Sequence, residues 1–172
     1  MDFLDRVKGA MGGLEKFVAA VPGYKGYKEK ELRREADKLL RDHLVRQFEA
    51  QQRRLNDQKL QLLSAGLMEL MDDLDRASTR LESFIIKIRT AGQGYAGFFD
   101  AVKVKEAELE ALYRFDNALL EGVPRLEASI SHLANAITAR EGVPQAIADL
   151  VALTGELNDT WARRQDAMND AV

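Results

Sequence analysis

The sequence predicts an all-α protein, an elongated helical hairpin or coiled-coil bundle with an amphipathic N-terminal helix and short C-terminal helices. Three observations predict it. Apolar residues recur at alternating steps of three and four along most of the 172 residues, and only three prolines interrupt them. Runs of alternating Val, Ile, Thr and aromatic residues bounded by turns are nearly absent, Phe84 to Ile88 being the one brief strand candidate. With 46% hydrophobic and 31% charged residues, the chain is too apolar and too evenly charged to stay disordered.

The first element is an N-terminal helix within residues 1–22. Phe3, Leu4, Val7, Met11, Leu14, Phe17 and Val18 share one side of it, and Pro22 with Gly23 ends it because proline lacks an N–H and biases its predecessor away from helix. Gly9, Gly12 and Gly13 each cost about 1 kcal/mol of helix stability, so this helix is expected to order against an apolar surface, membrane or protein. Residues 23–172 make up the remaining helical hairpin and bundle.

Gly23-Tyr24-Lys25-Gly26-Tyr27 reads as a hinge-like connector, followed by a long helix over 28–90. Leu60, Leu63, Leu67, Leu70, Leu74, Ala77, Leu81, Phe84 and Ile88 hold strict 3,4 spacing and form the strongest periodic signal, a seam expected to serve self-association. A continuous helix over 28–90 would run about 94 Å, against a radius of gyration of about 16 Å for a compact domain. Asn56-Asp57 and Gly66 are the places where it could break. No proline or multi-glycine turn stands there, so the expectation is a rod.

A glycine-rich turn over 91–97 then gives way to helices over 98–121, 123–141 and 143–170. The tetrapeptide Glu-Gly-Val-Pro stands at Glu121–Pro124 and again at Glu141–Pro144, and both copies read as corners between helices: glycine suits the left-handed cap position and proline the first turn of the next helix.

Composition excludes several chemistries. No cysteine is present, which removes disulfides, thiolate metal sites and cysteine nucleophiles. His43 and His132 stand apart and lack the Glu-x-x-His spacing of carboxylate-bridged metal bundles, so both read as packing residues. Gly92-x-Gly94-x-x-Gly97 matches the dinucleotide fingerprint as a string but lacks the preceding strand that the chemistry needs. Asp72, Asp73 and Asp75 lack calcium-loop spacing and read as a solvated helix face. The longest run without a charged residue, Ala128 to Ala139, is too short to span a bilayer, which takes about 20 residues. No cofactor is implied and no metal site; with so few titratable groups on the seams, no enzyme is expected.

Charge is distributed unevenly, with 14 basic against 10 acidic residues over 1–59 and 11 against 18 over 60–172. Tyr24, Lys25, Tyr27, Lys28, Arg33 and Arg34 combine aromatic and basic side chains suited to an anionic surface, while Glu29, Glu31, Glu35 and Asp37 are interleaved for pairs such as Glu29 with Arg33 and Asp37 with Arg41.

The blocks Pro22-Gly23-Tyr24-Lys25-Gly26-Tyr27-Lys28-Glu29-Lys30-Glu31-Leu32-Arg33-Arg34-Glu35-Ala36-Asp37 and Gly94-Tyr95-Ala96-Gly97-Phe98-Phe99-Asp100-Ala101 resemble uncharacterised bacterial helical proteins, a family that brings no activity with it. The order of elements is similar to that of phage-shock and ESCRT-III-like membrane-remodelling scaffolds, which implies assembly on a membrane. The expected function is therefore a non-enzymatic cytoplasmic scaffold. It would form homo-oligomers through the heptad seam and meet a membrane surface, peripherally at the inner membrane, or a partner helix through the N-terminal helix. The alternative is an adaptor that binds nucleic acid or a partner protein through 24–41.

Overall fold

The structure, a computed structural model, describes residues 18–19, 21–93 and 105–170. The described residues are mostly helical with no strand, and four helices pack against one another. They are α1 (Arg33–Ser64), α2 (Met71–Thr90), α3 (Glu106–Ala139) and α4 (Val143–Asn169). The expected N-terminal helix lies almost wholly outside the described residues, as do Gly94, Gly97 and the aromatic residues near them.

Cross-helix contacts fix the arrangement. Phe48 meets Phe84 edge to face at 4.8 Å between ring centroids, and Gln52 donates to Ser78, so α1 and α2 run antiparallel. Arg125 pairs with Glu156 and Arg164 with Asp116, so α3 and α4 are antiparallel too. Arg54 reaches Ser131 on α3, and Lys87 reaches Asn158 on α4, which makes α1 parallel to α3 and α2 parallel to α4. The result is a square bundle in which α2 and α3 occupy opposite corners. One end, here called the top, holds the α1–α2 and α3–α4 corners. The base holds the approach to α1, the end of α2, the start of α3 and the end of α4.

The expected continuous helix over 28–90 is instead two helices. At Gly66, φ reaches +75°, Leu67 N–H donates to the Leu62 carbonyl, and Gly66 N–H donates to that of Leu63. This is a Schellman cap, in which one left-handed glycine satisfies the carbonyls of the last turn. Met68–Leu70 then form one 3-10 turn before α2 begins. A single glycine suffices because the two halves of the apolar stripe face each other once the chain folds back. Leu40, Leu44, Phe48 and Leu55 of α1 and Leu74, Leu81, Phe84 and Ile88 of α2 are all completely buried.

The expected corner at Glu121–Pro124 is likewise absent, and the C-terminal helices are long: α3 has 34 residues and α4 has 27. Pro124 sits inside α3 with its side exposed to solvent. Interior proline costs about 3 kcal/mol or more, and the buried stripe Leu119, Gly122, Leu126, Ile130 and Leu133 continues straight through it. Gly122 lets α4 come close, since a Cβ there would lie 2.5 Å from Leu157 Cδ2. The second copy of the tetrapeptide is a corner, as expected, but Arg140 takes the left-handed cap position at φ +55° and Gly142 follows at +72°.

Candidate functional site

Two features of the bundle stand out, a charged cluster buried in its base and an apolar corner at its top. The cluster begins with Asp116 and Arg164, both fully buried. Helical spacing puts them there: Leu112, Asp116 and Leu119 share the inner face of α3, and Leu157, Trp161, Arg164 and Met168 that of α4. The Arg164 guanidinium donates from Nε to Asp116 Oδ1 at 2.7 Å and from Nη2 to Asp37 Oδ1 at 2.8 Å. Its Nη1 lies 3.3 Å from Met168 Sδ, and its Cζ is 5.1 Å from the centroid of the Trp161 ring. On α1, Arg41 Nε donates to the second oxygen of Asp37 at 2.8 Å and its Nη1 to the Ile88 carbonyl at 3.3 Å. Two carboxylates and two guanidiniums thus alternate across three helices, and Arg41 ties the set to α2.

Over this cluster lies the segment before α1. Tyr24 and Tyr27 are buried, and the Tyr27 hydroxyl donates to Asp116 Oδ2 at 2.6 Å and accepts from Arg164 Nη2 at 3.3 Å. Its N–H donates to the Tyr113 hydroxyl, and Arg33 Nε donates to its carbonyl at 2.8 Å. Gly26 has φ +74°, and a Cβ there would stand 2.6 Å from that same Tyr113 oxygen, so only glycine lets the strap lie this close. Burial pushes the Tyr24, Tyr27 and Tyr113 hydroxyls above the ordinary phenol range, and Asp116 adds to the rise. Burial also raises the Asp116 carboxyl above its usual 3.8, opposed by Arg164 and the Tyr27 hydroxyl.

This placement changes several expectations. Tyr24, Tyr27 and Arg33 point inward as anchors, leaving Lys25, Lys28 and Arg34 exposed among Glu29, Glu31 and Glu35. The predicted anionic-surface patch is thereby broken up, and the hinge-like connector is a strap pinned by side chains. Arg33 bonds the Tyr27 carbonyl rather than Glu29, and the expected Asp37–Arg41 pair forms and is buried. The seams do carry titratable groups, Asp116 and Arg164, which the periodic reading overlooked. Both occupy core positions in an apolar stripe, and that was the signal available.

Leu74, Leu81, Phe84 and Ile88 are spent inside the bundle, so this stretch of the self-association seam is intramolecular. Leu67 and Leu70 are half-buried, whereas Leu60 is 62% and Leu63 44% exposed, and Met68 beside them is 69% exposed. Residues 60–71 contain one charged residue, Glu69, in a chain that is 31% charged. Of the proposed N-terminal contact residues, Val18 is described and exposed, while Phe3, Leu4, Val7, Met11, Leu14 and Phe17 lie outside the described residues.

Among the described residues, no three His, Asp or Glu side chains are grouped to hold a metal. His132 is exposed rather than packed, and His43 is half-buried, with burial and Arg46 lowering its pKa. Asp73 and Asp75 pair with Arg76 and Lys59 on a solvated face. Gly92 follows α2 and lies against the Arg41 guanidinium, with helix rather than strand before it. No described helix is long and apolar enough to cross a membrane.

Comparison with protein-family models, curated proteins and solved structures gives no match for the chain.

Proposed function

We propose that the chain is a non-enzymatic cytoplasmic scaffold that self-associates through its apolar corner and meets a membrane surface or partner helix through residues 2–21. The observation that supports it most is the corner itself. Leu60, Leu63 and Met68 stay exposed at one end of a bundle whose other large apolar side chains are mostly packed away. Exposed apolar patches of about 300–600 Å² are the largest that typical monomers show and are often functional. Three side chains approach the lower end of that range and fall short of the roughly 800 Å² per partner of a standard interface. The association is therefore weak and concentration-dependent, as suits a scaffold that gathers on a surface.

Sedimentation velocity across a concentration series tests the assembly. The expected result is reversible association, abolished by the double substitution Leu60→Glu and Met68→Glu with the melting temperature unchanged, since both positions are exposed. A monomer at all concentrations up to about 100 µM, well above the micromolar range of weak specific complexes, would remove the reading. Co-pelleting with anionic liposomes, comparing the intact protein with a variant lacking residues 1–20, tests the surface contact. Equal pelleting of the two, or none by either, would eliminate that clause.

A further inference from the structure

The exposed leucines at the top are in step with α2 and not with α1, the helix that carries them. The inner face of α1 is set by Leu44, Phe48, Gln51, Leu55 and Leu62, all buried. At about 100° per residue, Leu60 and Leu63 point roughly 150° and 90° away from that face, and both stay exposed. From Leu60 through Leu63, Leu67 and Leu70 to Leu74, however, the steps are three, four, three and four, and Leu74 opens the buried stripe of α2. A hairpin turn imposes no phase on the helices it joins, whereas a continuous helix does. The turn itself rests on Gly66, its one left-handed residue at φ +75°, and no proline stands anywhere from Arg33 to Thr90.

We propose that a second copy of this chain covers the corner by exchanging α1 across a straightened Gly66, giving a two-fold dimer in which α1 of each copy packs on α2 and α3 of the other. Resting on the self-association read from the corner, this dimer specifies how the two copies meet. Straightening joins α1 and α2 into one helix over 33–90, about 87 Å long. The contacts of α1 re-form between chains, including Phe48 on Phe84 and Asp37 on Arg164, so no buried group loses its partner. The gain lies at the corner. About a midpoint at Ala65, Leu60 and Leu63 of one copy stand opposite Leu70 and Leu67 of the other, so the seam pairs antiparallel with itself. From Leu60 to Met68 no charged residue opposes that approach.

Cross-linking tests it, because the chain has no cysteine of its own. Glu49 and Arg89 form an exposed ion pair that joins α1 to α2. They are neighbours in the bundle, about 60 Å apart along a straightened helix, and about 24 Å of helix below the corner. The variant with Glu49→Cys and Arg89→Cys is treated with a short bismaleimide at a concentration where sedimentation shows dimer. Covalent dimers on a denaturing gel are expected, since each link then joins two chains. Gly66→Ala should raise the association constant about a thousandfold, because alanine disfavours the left-handed cap, favours continuous helix and acts at two hinges. A dimer whose links all lie within single chains overturns the exchange and leaves association through the corner standing. A monomer at every concentration, in Gly66→Ala as well, overturns both. If Gly66→Ala does not fold, the cross-link in the chain that keeps Gly66 decides alone.

Discussion

Arg164 meets α1 through Asp37, α3 through Asp116 and the strap through Tyr27, with no exposed surface of its own. Removing one partner of a buried ion pair costs about 3–5 kcal/mol because the remaining charges are stranded. Arg164→Leu should therefore lower the thermal midpoint by about 6–20 °C, at 2–4 °C per kcal/mol for a chain of this size. Combining it with Asp116→Leu should restore part of the loss, because Asp37 keeps Arg41 as its partner and no carboxylate is left stranded, and circular dichroism melts of the two variants check both statements. The tyrosines set a limit at the other end of the pH scale. Tyr24, Tyr27 and Tyr113 have hydroxyls raised above the ordinary 10.0. Their contribution to stability is complete below pH 10 and is lost as pH rises through the folded-state values. Melts between pH 8 and about 11.5 should show a decline beginning near the ordinary phenol value. Asp116 acts in the opposite sense: its raised carboxyl is protonated first in the folded state, so it does not promote acid unfolding.

Each helix of the bundle ends or continues according to what its neighbours allow. The two Glu-Gly-Val-Pro copies have the same four residues and different outcomes. Around Gly122 the packing of Leu157 and Phe48 keeps α3 intact, whereas at Gly142 nothing lies within 4 Å of a would-be Cβ and the chain is free to turn. The α3 cap carries an unexpected residue: Arg140 holds the left-handed position, with Glu141 N–H bonded to the Ala136 carbonyl and Arg140 N–H to that of Ile137. Left-handed backbone costs a non-glycine residue about 1–2 kcal/mol, and glycine's extra unfolded-state entropy offsets part of the relief. Arg140→Gly should accordingly stabilise the bundle by about 0.5–1 kcal/mol, raising the melting temperature by a few degrees. A lower melting temperature would show that the Arg140 side chain contributes more than its backbone costs. The helical segments and their inward faces were legible in the sequence because Leu74, Ala77, Leu81, Phe84 and Ile88 repeat at the helical period. The break at Gly66 was visible only as a candidate, because one glycine ends a helix when the chain beyond it has a surface to return to.

At the scale of the molecule, a rod of about 94 Å became a bundle whose longest helices, 32 and 34 residues, span about 50 Å. Its two ends differ. The top presents Leu60, Leu63 and Met68, and the base, about 35 Å of α1 away, holds the charged cluster and the strap over it. By itself the sequence determined that the chain is helical and which side of each helix is apolar, because both follow from spacing along the backbone and from the local conformational limits of glycine and proline. Only the tertiary structure decided what those sides meet. Burial of apolar surface is favourable against any partner, so leucines repeating in sevens describe an intramolecular core and an interface between copies equally well. The same holds for Asp37, Asp116 and Arg164, whose pairing joins residues up to 127 positions apart: each is an ordinary charged residue until the fold removes water from all three together.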